Sequence, residues 1–248
     1  MRHIWTAVLK TSALVLAATF LMAICSSAGF AEAAVTVTRF SVSPSTTQAG
    51  GHPSLRVSTV FSEPTAIRDL ALHLPAGLAA HPRAISFCSR KSLLADFCPP
   101  RSKVGSITVV AVAYGIDIPV MQTIYNLRPQ PTERLRLGVP ILASYTGSGV
   151  AAELPVTERP QDKGLDMALA GLPSEVGGIP IRLKEVGLWI KGMSRSRIKK
   201  RARKRAFLTN PKSCAAATSV LGVTLNDALS TTLTASSSFT PSGCFPQA

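Results

Sequence analysis

Residues 69–75 read DLALHLP, and the spacing of the leucines in this stretch decides the fold. Leu70, Leu72 and Leu74 occupy every second position, with Ala71 and His73 between them. Only an extended chain, whose side chains alternate from side to side, puts all three leucines on one face. The same period, or a short apolar run bounded by turn residues, recurs in both directions. Upstream lie VTVTRFSV (35–42) and LRVSTVF (55–61). Downstream lie SITVVAVAY (106–114), VMQTIYNL (120–127), RLRLGVPIL (134–142), GVAAELPV (149–156) and LDMALAGL (165–172). IPIRLKEVGLWI (179–190), SVLGVTL (219–225) and TTLTASSSF (231–239) complete the set. Most of the 18 prolines and 17 glycines fall between these runs, where turns belong. The expectation is an all-β chain, a β-sandwich of jelly-roll or Ig-like type with about ten to twelve strands. One short helix is expected at RKSLLAD (90–96), with Ser89 as its N-cap. Helical character at 198–206 is opposed by the charge density there.

The N-terminus has the three parts of a secretory signal in order. Arg2 and Lys10 precede an apolar stretch, Ala13 to Ile24, and small residues end in Ala31-Glu32-Ala33. The apolar stretch is shorter than the roughly 20 residues a spanning helix needs. Residues 1–33 are therefore expected to be cleaved, and residues 34–248 to be secreted, extracellular or wall-associated, with no transmembrane span. No Gly/Ser- or Pro-rich linker divides 34–248, so one domain and two abutting sub-sandwiches both fit. Cleavage removes Cys25 and leaves Cys88, Cys98, Cys214 and Cys244, an even set suited to disulfides in an exported chain. Of the three connectivities, Cys88–Cys98 and Cys214–Cys244 are favoured because each brackets a short segment. Spacings of ten and thirty with no CxxC pair do not suit a zinc site.

Charge is concentrated. The chain carries 27 Lys and Arg against 13 Asp and Glu, a net +14, and residues 195–205 read RSRIKKRARKR. Arg195, Arg197, Lys199, Lys200, Arg201, Arg203, Lys204 and Arg205 make this run a candidate anion contact, expected as a solvated loop. Outside the cell its partners would be anionic wall polymers or an acidic membrane surface, bound with strong salt dependence. No aromatics interleave with the cations, so no specific nucleic-acid partner is expected.

TTQAGGHP (46–53), CPPRSKVGSITV (98–109), YNLRPQPTERLRLGV (125–139), GLWIKG (187–192) and RAFLTNPKSC (205–214) form an ordered set. Together they resemble blocks that recur in this order in large secreted proteins of actinobacteria. The resemblance implies secretion and a β-rich domain, here as a single module, and it implies no activity, substrate or ligand. Those relatives tend to carry an acidic, polar loop where this chain has its basic run.

No catalytic pattern stands out. A GxSxG elbow, a P-loop and a GxGxxG are all absent from the sequence, and no cofactor or metal is expected. His52 and His81 each precede a proline, which biases them toward extended loop positions. Glu153 and Glu158, the nearest approach to a paired-carboxylate couple, read as solvated surface charge. Trp189 sits in an apolar run and reads as core, and Gly50-Gly51 as a tight turn. The expected function is that of a non-catalytic extracellular or envelope module whose basic loop contacts anionic polymer. A secreted hydrolase with an unrecognised site is the alternative.

Overall fold

Leu70, Leu72 and Leu74 do share a face: Leu72 and Leu74 fill the main core, and Leu70 packs on a second cluster beside it. The computed structural model describes residues 34–141, 150–176, 178–198 and 201–244. The expected signal segment, 1–33, and two of the candidate anion contacts, Lys199 and Lys200, lie outside these residues.

The strands, in chain order, are β1 (Val37–Pro44), β2 (Leu55–Thr65), β3 (Ile67–His73), β4 (Ala79–Ala80), β5 (Lys103–Ala113) and β6 (Ile116–Leu127). There follow β7 (Leu135–Ile141), β8 (Val150–Glu158), β9 (Leu165–Leu169), β10 (Glu175–Val176), β11 (Ile179–Pro180) and β12 (Arg182–Ile190). The last are β13 (Met193–Ile198), β14 (Arg201–Ala206), β15 (Leu208–Thr209), β16 (Ala217–Leu225) and β17 (Thr232–Phe239). Helix α1 (Arg90–Leu94) follows β4.

Each of the eleven periodic runs contributes one strand to a single eleven-stranded sheet, ordered β1-β2-β12-β5-β6-β7-β8-β9-β3-β16-β17. Every neighbouring pair is antiparallel. The sheet curls until its two edges meet, nearly closing a barrel. An odd number of antiparallel strands leaves the first and last running the same way, so the seam cannot be a further antiparallel ladder. It is bridged instead by Val42 N–H donating to Ser237 Oγ (3.0 Å) and by a parallel bridge between Gln48 and Ser242. At Ala66 the chain passes from the second strand at one edge to the third at the other.

Inward residues from all round the barrel share one core. Leu55 and Val57 of β2, Leu137 of β7, Val156 of β8 and Ile190 of β12 belong to the same buried cluster, with Phe207 sealing it. The second cluster, around Phe61, Ile67, Leu221 and Val223, fills the space beneath the β2–β3 passage.

Helix α1 lies outside the barrel. Ser89 Oγ accepts from Ser92 N–H (3.0 Å), the cap expected of it. Its buried Leu93 presses on Gly138 of β7, where a Cβ would stand 2.6 Å from Leu93 Cδ2 and 2.8 Å from Leu127 Cδ1. The missing side chain is what lets the helix seat there. Disulfides Cys88–Cys98 and Cys214–Cys244 form in the favoured pairing. The first closes the loop that carries α1, and the second ties the segment before β16 to the tail after β17. Among the described residues, no helix is long and apolar enough to cross a membrane.

Candidate functional site

The registers sort the connections between strands. Pro44 pairs with Leu55, Ile190 with Leu55 and Gly105, Leu127 with Arg136, Glu158 with Leu165, His73 with Asp166, and Ala217 with Phe239. Connections 45–54, 74–102, 128–134, 159–164 and 191–216 therefore emerge together at one end of the barrel. Both disulfides, helix α1, the basic run and parts of all five resemblance blocks lie at that end. Loops gathered at one end of a rigid sheet are the usual place for binding residues.

The basic run forms a ribbon here, where the sequence suggested a loop. Met193–Ile198 and Arg201–Ala206 pair antiparallel as a two-stranded sheet separate from the barrel. The register sets Arg195 opposite Lys204, while Arg205, Arg203, Arg201 and Arg197 face Ser194, Ser196, Ile198 and Ala202. All six strand cations lie in paired positions, and of the five pairs that hold them four set a cation opposite a neutral residue. That is the arrangement in which cross-strand repulsion is least. No Asp or Glu occurs anywhere from Val186 to Asn226, a span holding ten Lys and Arg. The ribbon's base is anchored firmly. Phe207 N–H donates to Gly192 O (2.7 Å) and Lys191 N–H to Val104 O (2.8 Å). A Cβ on Gly192 would fall 2.1 Å from Pro53 O, so only glycine admits this approach to the 45–54 loop.

Two buried asparagines hold the loops in place. Asn210 Nδ2 donates to Thr46 O (2.8 Å) and Gln48 O (3.0 Å), and its backbone N–H to Gly51 O (2.8 Å). Gly50, at φ +67°, makes the tight turn expected of Gly50-Gly51, and its N–H donates to Pro211 O (3.2 Å). Asn126 Nδ2 reaches the carbonyls of Pro82 (2.9 Å), Ile85 (3.3 Å) and Ser86 (3.4 Å). A primary amide can donate repeatedly to carbonyls in a way that no apolar residue of its size can.

His52 and His81, remote in sequence, meet across Thr209. His52 Nδ1 donates to Leu208 O (3.2 Å), which fixes the hydrogen on that nitrogen because a carbonyl only accepts. Thr209 Oγ1 lies 3.3 Å from His52 Nδ1 and 3.1 Å from His81 Nε2. With Nδ1 of His52 already a donor, the hydroxyl is free to donate to His81 Nε2. Burial, reinforced by the Arg134 guanidinium and by His52, holds the His81 pKa below its ordinary value. Its ring is therefore set up as a neutral acceptor. The arrangement can take up a proton, but among the described residues no carboxylate orients either ring. Both histidines belong to His-Pro dipeptides, the one sequence signal they have in common.

The remaining candidates part company. Glu153 and Glu158 are ion-paired with different arginines: Glu153 with Arg136 and with Arg90 (2.9 Å), Glu158 with Arg134 (3.5 Å). His73 lies on the outer wall with its Nδ1 2.9 Å from Asp166 Oδ1. Trp189, expected in the core, is on the outer face. Leu188 and Ile190 take the inward positions of β12, and the alternation turns the indole out, half-buried, with Lys191 Nζ 6.0 Å from its ring. Among the described residues no cluster of His, Cys, Asp or Glu could hold a metal ion.

Beside His81 an open cleft of about 710 Å³ runs between the 80–87 segment and the 128–134 connection. Arg83, Arg128 and Arg134 line it, with Phe87, Pro82 and Pro129. The one carboxylate in its wall, Glu133, is occupied. It accepts from Arg136 and from Gln130 N–H (2.9 Å), and the Arg136 hydrogen bond, more than any other influence, holds its pKa below the usual carboxylate value. No protein-family profile, curated protein or solved structure matches this chain.

Proposed function

We propose that this is an exported, non-catalytic β-barrel module that contacts anionic polymer of the cell envelope through the ribbon 193–206. The observation that carries the reading is the ribbon itself. Six of the eight cations of the run occupy paired strands whose base is fixed to the barrel. A two-stranded ribbon is marginal by itself in water, and one rich in like charges is more so. An anionic polymer lying along it would neutralise the repulsion and release counterions, which favours binding most strongly at low salt. The two disulfides suit an oxidising compartment. The signal-like N-terminus and the resemblance to secreted actinobacterial proteins support the same location.

Affinity for purified wall teichoic acid, measured by titration calorimetry from 50 to 300 mM salt, tests the reading. The expected result is affinity that falls steeply with salt. A variant in which Arg195, Arg197, Arg201, Arg203, Lys204 and Arg205 are replaced by Gln should bind weakly, with a shallow salt slope. Wild-type binding no stronger than that of the neutralised ribbon would overturn the proposal.

A further inference from the structure

The cleft beside the ribbon has a chemistry of its own. Its three cations are all arginines, whose planar forks match the paired oxygens of a carboxylate or phosphate in a way that lysine does not. Arg128 lies over the Phe87 ring, 5.8 Å from guanidinium carbon to centroid, so one fork is already held against an apolar wall. Arg134 Nε donates to Ala80 O (3.1 Å) and links the two walls. Among the described residues no carboxylate pairs with Arg83 or Arg128.

The walls are rigid before any ligand arrives. Segment 82–86 is tied down by the three carbonyl contacts of Asn126, and at its far end Cys88 N–H donates to Asn126 O (2.8 Å) next to the Cys88–Cys98 disulfide. The opposite wall is fixed by Arg134 N–H donating to Val156 O (2.8 Å) and by Gln130 N–H on Glu133. With the backbone of both walls already fixed, binding need not order a loop, a cost that otherwise subtracts from affinity. The volume exceeds what a bare oxyanion needs and falls in the range of small-molecule sites. Prolines and a phenylalanine beside forked cations suit a ring that carries the anion.

We propose that this cleft is a second binding site, for a sugar-sized ring bearing an oxyanion, with Arg83 and Arg128 gripping the anion and Phe87 and Pro129 flanking the ring. The site is distinct from the ribbon and goes beyond the polymer-binding reading. The anion's shared chemistry is that of a phosphate monoester or a carboxylate.

Titration of the full secreted chain, followed by backbone NMR shifts, separates the sources with glucose 6-phosphate, glucuronic acid and neutral glucose as probes. Saturable shifts at 80–87 and 128–134 are expected with at least one anionic sugar and not with glucose. Whichever anionic sugar binds more tightly identifies the source. Arg83→Gln with Arg128→Gln should weaken that binding by at least about tenfold. Arg83→Lys with Arg128→Lys, which keeps the charge and loses the fork, should fall between. Both residues are exposed, and an unchanged melting temperature shows that the fold is retained. The neutralised ribbon variant should bind the monomeric probes as the wild type does, so failure of the ribbon reading leaves this result standing. Equal binding of glucose, no binding of either anionic sugar, or wild-type affinity in the Arg→Gln pair would each overturn the proposal.

Discussion

Thr209 is one residue on which the loop-bearing end turns, because its hydroxyl joins two imidazoles contributed by connections 45–54 and 74–102. Neither its role nor the histidine pairing was legible from the chain, since the β4–β15 pairing brings His81 to Thr209 and the contacts of Asn210 with the 45–54 loop bring His52 there. The pairing has a consequence for stability. His81 has an ordinary pKa of 6.5 and a lower one in the fold. Above the ordinary value both folded and unfolded states are neutral there, and stability does not depend on this group. Below it the unfolded chain takes up the proton first, so stability falls as pH drops, and the loss levels off once the folded histidine is protonated too. Urea midpoints are therefore expected to decline from pH 7.5 to pH 5, and to decline less in His81→Gln. An identical decline in the variant would show that this site does not bias the equilibrium. Asn126 and Asn210 belong to the same scale. They sit in two of the resemblance blocks, and the structure gives each a physical task, holding carbonyls of a neighbouring loop.

At the scale of elements, the barrel strands were readable because each buries one face, and burial of one face imprints a period of two on the sequence. The basic ribbon escaped for the opposite reason. Ser194-Arg195-Ser196-Arg197 and Arg201-Ala202-Arg203 also alternate, but neither alternating set is apolar, so the period reads as a charge run. The short strands β4, β10, β11 and β15 are two residues each, too short for any period to show. The register makes a sharp statement about the ribbon: Arg195 and Lys204 are its one directly opposed pair of cations. Like charges in that position are destabilising, and opposite charges stabilise by up to about 1 kcal/mol. Arg195→Glu should therefore slow amide exchange across 193–198 and 201–206 while weakening polyanion binding. Faster exchange would contradict the register. Stability and affinity moving in opposite directions is what distinguishes a ribbon shaped for its partner from one shaped for the fold.

On the scale of the whole molecule, the two ends of the barrel differ in kind. The strand content could be read along the chain, but the strand order could not, because alternation says which face is buried and nothing about which neighbour pairs. Only the order brings 45–54, 74–102, 128–134 and 191–216 to one end, and with them arginines 83, 128 and 134 into a single cleft. The opposite end carries the β5–β6 turn, where Tyr114 and Ile116 are 78% and 65% exposed, and Met121, midway along β6, is 73% exposed. Apolar exposure of that kind is unsuited to holding a polyanion, whereas the ribbon end concentrates forked and flexible cations around rigid loops. Hydroxyl-radical footprinting with and without wall teichoic acid separates the two. Protection is expected at Met193 and at His81 and Phe87, residues of the ribbon and of the cleft beside it. Tyr114 and Met121 should be oxidised equally in both samples. Protection of the β5–β6 turn instead, with the ribbon end unchanged, would move the binding surface to the wrong end of the barrel and remove the case for the ribbon. Protection at both ends would mean that the polymer wraps the barrel, and the salt slope would then exceed the one set by the ribbon cations alone.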